Sequence, residues 1–206
     1  MSDGSIANGG METKANLQAA IADNHWGASI GETEQKAILA LIEQLEKLNP
    51  TPQPIKATEL LEGDWRLLYT TSQELFRINQ FPLLRSGPIY QCVRPTAAKV
   101  YNIAEIFGVP GLEGVVSVAA QLEPVSDQRV NVKFERAVFG LQRLMGYQSP
   151  AGWIQKLKTC KQFPWLQAID FPINRGEQRG WIEITYLDHN MRITRGNQGS
   201  VFVLTK

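Results

Sequence analysis

The period of the hydrophobic pattern changes once along the chain, near residue 60. Before it, Ile38, Leu41, Ile42, Leu45 and Leu48 repeat at helical spacing and make one apolar stripe. Ser29 and Glu32 stand ahead of that stripe at capping-box spacing, and Glu32 with Lys36 and Glu43 with Lys47 are pairs four apart on its wet side. Leu17, Ala20 and Ile21 give a weaker helical pattern upstream, while residues 1–10 are rich in Gly, Ser and Asn and are expected to be disordered. Asn49, Pro50, Pro52 and Pro54 stop the second helix and form a stiff strap. The expected organisation is a disordered stretch over 1–10, a helical extension over 11–50 and a strand-rich domain over 60–206.

From Leu60 onward the period is two. Trp65, Leu67 and Tyr69 alternate with Asp64, Arg66, Leu68 and Thr70, which predicts that Trp65, Leu67 and Tyr69 face inward. Ile89 to Arg94, containing Tyr90, and Lys99 to Ile106 form two further strands around Pro95. Val116, Val118, Ala120 and Leu122 share one face of the next. Past the turn at Ser126 and Asp127, Val130, Val132, Phe134 and Arg136 share the inward face of its partner. The closing stretch, Trp181 to Lys206, predicts a three-stranded meander with turns at His189 and Asn190 and at Gly196 to Gly199. Its first strand points Ile184, Tyr186 and Asp188 inward, and on the second Arg195 shares the face of Met191 and Ile193. About eight strands without parallel crossover helices predict a mainly β protein with N-terminal helices, its strands closed into a small antiparallel β-barrel able to hold one ligand.

Arg136, Asp188 and Arg195 are therefore three charges expected on inward faces. Unpaired buried charge is costly. They predict either a structural ion pair or a polar anchor that orients the head of an amphiphile at one end of an apolar cavity.

Two apolar stretches break the barrel pattern. One carries Phe76, Ile78, Phe81, Leu83 and Leu84. The other, Leu141 to Arg175, opens a helix with Ser149 as cap and Pro150 at its first position, and places Trp153, Ile154, Leu157 and Cys160 on one side. Trp153, Phe163 and Trp165 beside Lys156 and Lys158 fit an element that lies in a membrane interface. The alternative is that the same element caps the open end of the barrel.

Composition narrows the classes. The 206 residues are 43% hydrophobic and 20% charged with a net charge of +1, an ordinary globular composition that argues against a nucleic-acid partner bound by global charge. Cys92 and Cys160 make neither a disulfide framework nor a zinc site, so no metal or other cofactor is expected. The N-terminus lacks the features of a signal or transit peptide. His25 and His189 are the only histidines, neither paired with a cysteine, and Gly108 to Gly114 lacks a P-loop lysine. No catalytic residue and no enzyme activity are expected.

Leu61-Glu-Gly-Asp-Trp65-Arg-Leu-Leu-Tyr69, Ile89-Tyr90-Gln91, Tyr186-Leu187-Asp188, Arg192-Ile193-Thr-Arg195-Gly196 and Val201-Phe-Val-Leu204 resemble, in their order and spacing, the plastid lipid-associated proteins, also called fibrillins or plastoglobulins. That resemblance implies a lipocalin-like barrel associated with thylakoid membranes or lipid bodies, which binds a lipophilic small molecule such as a prenylquinone, a carotenoid or an acyl lipid. A structural coat protein with a filled barrel is the runner-up, and a barrel enzyme or chromophore lyase a third reading. With no transit peptide the chain is expected to be a cyanobacterial-type member, cytoplasmic and peripherally attached to such a surface. Gly63 to Trp65 is also similar to the lipocalin signature, in which a late-strand arginine packs across the tryptophan. Arg192 and Arg195 are the available partners. Parity favours Arg195, and a bulge after Asn190 would exchange the two. The expected ligand set is then Trp65, Leu67, Tyr69, Tyr90, Phe134, Arg136, Ile184, Tyr186, Asp188, Arg192 and Arg195.

Overall fold

Helices come first, as the 3.6-residue period predicts. The computed structural model describes residues 3–22, 30–72, 85–173, 179–197 and 199–206. Helix α1 runs Asp3–Ala22 and α2 Glu32–Lys47. Residues 3–10 thus lie within a helix and are not the disordered stretch their composition suggests. Once Leu17 and Ile21 are packed, each further residue adds a backbone hydrogen bond at little cost, and Thr13 Oγ1 donates to the Gly9 carbonyl at 2.8 Å. Ser29 lies outside the described residues. Gly31 occupies the N-cap of α2, and the Glu34 side chain accepts from its N–H at 3.4 Å.

Among the described residues nine strands follow: β1 (Gly63–Thr70), β2 (Arg85–Arg94), β3 (Lys99–Phe107), β4 (Gly114–Pro124), β5 (Arg129–Leu141), β6 (Ala168–Pro172), β7 (Arg179–Leu187), β8 (Met191–Gly196) and β9 (Val201–Thr205). All pairings are antiparallel, and the β1–β9 and β4–β5 pairs close eight strands into the lipocalin-like barrel that the alternation predicts. The ninth is explained by the length of β5. Its first part, Arg129 to Lys133, pairs with β7, and its second, Arg136 to Gly140, pairs with β6. The short strand β6 is therefore an edge that extends the wall beyond the closed ring.

Both faces of most strands are covered. The lumen holds Trp65, Leu67, Val93, Val100, Ala120, Val132, Ile184 and Leu204. On the outer face of β1 and β7 to β9, Tyr69, Tyr186, Met191, Ile193 and Val203 pack against Leu17, Ile38, Ile42 and Leu45 of the two helices. A second outer layer is made by the short helix α4 (Gln142–Met145) and by α5 (Pro150–Thr159), which meet Cys92, Ile103, Val115 and Val138. Ser149 caps α5 as expected, accepting from the Gly152 N–H at 3.2 Å. This helix lies on the side wall, so it does not close the barrel's end. The lower end is closed by the turn Pro54–Lys56 and by helix α3 (Thr58–Leu61), whose Ile55, Leu60 and Leu61 pack on the lumen core.

Among the described residues four strand pairs carry a register shift, one of them between Ser86 and Ile89 of β2, and the other three decide which layer the expected lumen residues of β1, β5 and β7 enter. The register shifts between Leu67 and Tyr69 in β1, between Ile184 and Tyr186 in β7, and at Glu135 of β5 opposite Ala119 and Ala120. One extra residue reverses the alternation. Leu67, Ile184 and Phe134 thus face the lumen, whereas Tyr69, Tyr186 and Arg136 face outward. The expected lumen positions of these last three are overturned.

Trp65 sits at the base of the lumen, its Nε1 donating to the Leu61 carbonyl at 2.8 Å. Trp65→Ala should lower unfolding stability by about 3–5 kcal/mol, the range for truncating a fully buried large aromatic, in a denaturant titration at neutral pH. A midpoint equal to that of the wild type would contradict the packed floor.

Candidate functional site

The lumen has two unlike ends. At the floor, Arg192 is only 2% exposed. Its guanidinium carbon lies 5.0 Å from the centre of the Trp65 ring, and Nη2 donates to Gln91 Oε1 at 2.6 Å. Lys206 Nζ lies 4.6 Å from the same ring and donates to the Leu60 carbonyl at 2.7 Å. The ring's negative faces are thus used by two cations. Burial pushes the Arg192 guanidinium down to about 9, so it keeps its charge at neutral pH. Gly63 makes this approach possible: its φ is +149°, and a Cβ there would lie 2.7 Å from Lys206 Cε. The lipocalin-type arginine is therefore Arg192, and the expectation for Arg195 is corrected. Arg195 does share a face with Met191 and Ile193, but that face is the outer one, and its guanidinium meets Glu46 of α2 at 2.7 and 2.8 Å.

Asp188 is likewise outside the lumen. It accepts from Lys14 Nζ of α1 at 2.5 Å, from the Tyr186 hydroxyl at 2.7 Å and from the N–H groups of Asn190 and Met191 at 2.9 and 2.7 Å. Burial pushes its carboxyl up, but the bonds from Lys14 and Tyr186 and the two backbone donors together hold it below the usual carboxylate range. Arg136 pairs with neither Asp188 nor a lumen group. It makes a two-pronged contact with Asp170 at 2.7 and 2.9 Å and donates to the Leu157 and Cys160 carbonyls, tying α5 to the wall. Tyr90 also turns outward, packing beside Tyr147 in the layer under α5.

The upper end is apolar. Past the bulge in β5, Ala137 and Phe139 occupy the inner face, paired with Val118 and Val116 of β4 on one side and with Phe171 and Ile169 of β6 on the other. This wall is open, with Ile169 62% exposed and Phe139 and Phe171 also exposed. Trp165 (84%) and Leu166 continue the surface along the loop before β6. Of the five positions expected to face a membrane, Lys156, Lys158 and Trp165 are exposed. Trp153 is 1% exposed and stacks on buried Phe163 with ring centres 5.2 Å apart, both inside the layer under α5. Lys156 donates to the Met145 carbonyl. The helical period gave Trp153 a face, but nothing local showed that the face meets the barrel. The stretch from Phe76 to Leu84 lies outside the described residues.

A closed lipocalin-like barrel, with a cationic aromatic floor, an apolar open mouth and helices on its outer wall, is the class these features define. Residues 11–205 match PAP_fibrillin, and the chain belongs to that family. It is 33% identical to the "Light-induced protein, chloroplastic" of Solanum tuberosum, over 92% of this chain and 67% of that one. Identity is 32% both to the "Chromoplast-specific carotenoid-associated protein, chromoplastic" of Cucumis sativus, over 92% and 67%, and to the "Plastid-lipid-associated protein, chloroplastic" of Citrus unshiu, over 93% and 68%. No solved structure matches the chain.

The depressed Asp188 carboxyl gives a pH signature. An unfolded aspartate titrates near about 3.9, so below that value the unfolded chain binds a proton that the folded one resists, and stability falls as pH drops through the folded value. Asp188→Asn should cost about 1–3 kcal/mol at pH 7, the usual worth of hydrogen bonds to a charged group, and should flatten the acid limb of a stability–pH curve. An unchanged acid limb would mean that Asp188 is not held in this way.

Proposed function

We propose that this protein is a non-enzymatic lipid-associated protein that takes a lipophilic small molecule, such as a prenylquinone, a carotenoid or an acyl lipid, at the apolar mouth of its barrel while resting on a thylakoid or lipid-body surface. The observation that carries the reading is the open inner wall of Phe139, Ile169 and Phe171. Apolar surface of this kind at the end of a closed barrel is either covered by a ligand or a lipid phase or is an aggregation liability. The relatives' names, which speak of plastid lipids and carotenoids, agree with that choice.

The same surface supports attachment. Trp165 and Leu166 project beside the mouth, and Lys158 and Lys161 stand exposed on the same segment, so rings would enter an acyl boundary while ammonium groups meet anionic headgroups. Among the described residues no helix is long and apolar enough to cross a membrane, which fits a peripheral association. A filled-barrel coat protein is the second reading, and the tightly packed floor around Trp65, Leu187 and Leu204 favours it. The two readings differ in whether a guest enters the mouth.

Titration with a short-chain prenylquinone, followed by tryptophan fluorescence, separates them. Ile169→Asp with Phe171→Asp should weaken binding by at least about tenfold, since each apolar side chain contributes about 1.5–3 kcal/mol when covered, and should leave the melting temperature unchanged because both positions are exposed. Saturable binding that the double variant retains in full would place the guest elsewhere. No binding by the wild type, together with flotation on anionic liposomes, would favour the coat.

A further inference from the structure

The outer wall carries a cleft that neither the mouth nor the floor accounts for. It lies between β3, β4 and β5 and the C-terminal half of α5, has a volume of about 300 Å³, and is lined by Lys99, Ser117, Arg136, Val138, Leu157 and Lys158. Ser117 is 1% exposed, and its hydroxyl has no hydrogen-bond partner among the described residues. A buried hydroxyl left in that state destabilises a fold, and an oxygen of a bound molecule would remove the penalty.

The charges around it are unequal. Arg136 is fixed by Asp170, and Lys99 pairs with Glu135. Lys158 is exposed and takes part in none of the ion pairs among the described residues. Three cations therefore face two carboxylates, and one positive charge is left over beside an unpartnered donor. Val138 and Leu157 supply the apolar side of the cleft.

We propose that this cleft binds the oxyanion head, carboxylate or phosphate, of an amphiphile. Ser117 Oγ donates to one oxygen, Lys158 supplies the countercharge and the first methylenes lie on Val138 and Leu157. A volume at the low end of the range of about 300–1,000 Å³ for small-molecule sites suits a headgroup and a few methylenes, not a whole lipid. The site is separate from the mouth, whose exposed wall is apolar, so it stands or falls independently of the guest proposed there.

The test uses the full chain and three probes, octanoate, octanol and inorganic phosphate, each followed by calorimetry and by the backbone amide signals of Ser117 and Lys158. Octanoate should bind saturably and shift both signals, and octanol should not. Ser117→Ala and Lys158→Gln should each weaken octanoate binding about tenfold, the usual worth of one hydrogen bond to a charged group. Inorganic phosphate shifting the same signals as strongly would support an oxyanion site whose natural occupant is a free anion. Lys158→Gln changes an exposed side chain, so it reports on the site even if Ser117→Ala perturbs folding. The proposal is overturned if octanoate and phosphate leave both signals unmoved, or if octanoate binds the variants as it binds the wild type. Ile169→Asp with Phe171→Asp should leave octanoate binding unaltered, which distinguishes failure here from failure of the mouth.

Discussion

Burial on both faces of a strand is the constraint on which the rest of this structure depends. In an ordinary antiparallel sheet one face meets the core and the other meets water. Here α1 and α2 cover the outside of β1 and β7 to β9, and α4 and α5 cover the outside of β2 to β5. Most strands consequently carry two apolar rows, and the lumen is one of three packed layers. Charged groups at the layer boundaries are obliged to pair where they stand. Lys14 with Asp188 and Glu46 with Arg195 link the helical pair to the barrel, and Arg136 with Asp170 links α5 to it. These ion pairs therefore act in the attachment of the outer layers, and the lumen floor is left with Arg192, held by Gln91 and the Trp65 ring.

The bulges make that partition possible with strands of continuous apolar texture. In β7 the extra residue lets Ile184 fill the lumen and, two positions later, sends Tyr186 to the helices, where its hydroxyl meets Asp188. In β5 the bulge at Glu135 delivers Arg136 to Asp170 and turns Phe139 inward at the mouth. A regular β5 would have put a guanidinium on the inner wall and a phenyl ring against α5. One inserted residue thus both removes a charge from the mouth and supplies an aromatic to it.

How far the sequence disclosed this follows from the same physics. Period-two alternation sees a strand and its two faces, and it identified the eight ring strands, though not the edge strand β6, and the shared faces of Val130, Val132 and Phe134 and of Met191, Ile193 and Arg195. It cannot say which face is the lumen when both are buried, so Arg195 was expected inside although Ile193 beside it packs on α2. Parity carried across a bulge reverses silently, which misplaced Tyr69, Tyr186, Asp188 and Arg136. Gly63 and Trp65 gave the floor, because a glycine needed at positive φ and a tryptophan two residues on are local signals. Gln91 and Lys206 gave none, since their roles arise from pairing across β1 and β2 and from the chain end folding back over Trp65.

The unlike ends of the lumen have a consequence for any guest. The floor guanidinium donates to Gln91 through Nη2 and leaves Nε unpartnered, but it lies against an indole with Leu61, Leu187 and Leu204 filling the space around it, so an incoming headgroup has no room to reach it. The mouth, lined by Val116, Val118, Ala137, Phe139, Ile169 and Phe171, offers apolar contact on its exposed inner wall. A guest held there is selected by its length and width, since apolar contact has no directional requirement, and polar discrimination has to come from groups outside the lumen. Under the proposed function, a polar floor and an undirected apolar mouth accordingly suit a family of lipophilic guests better than one particular molecule.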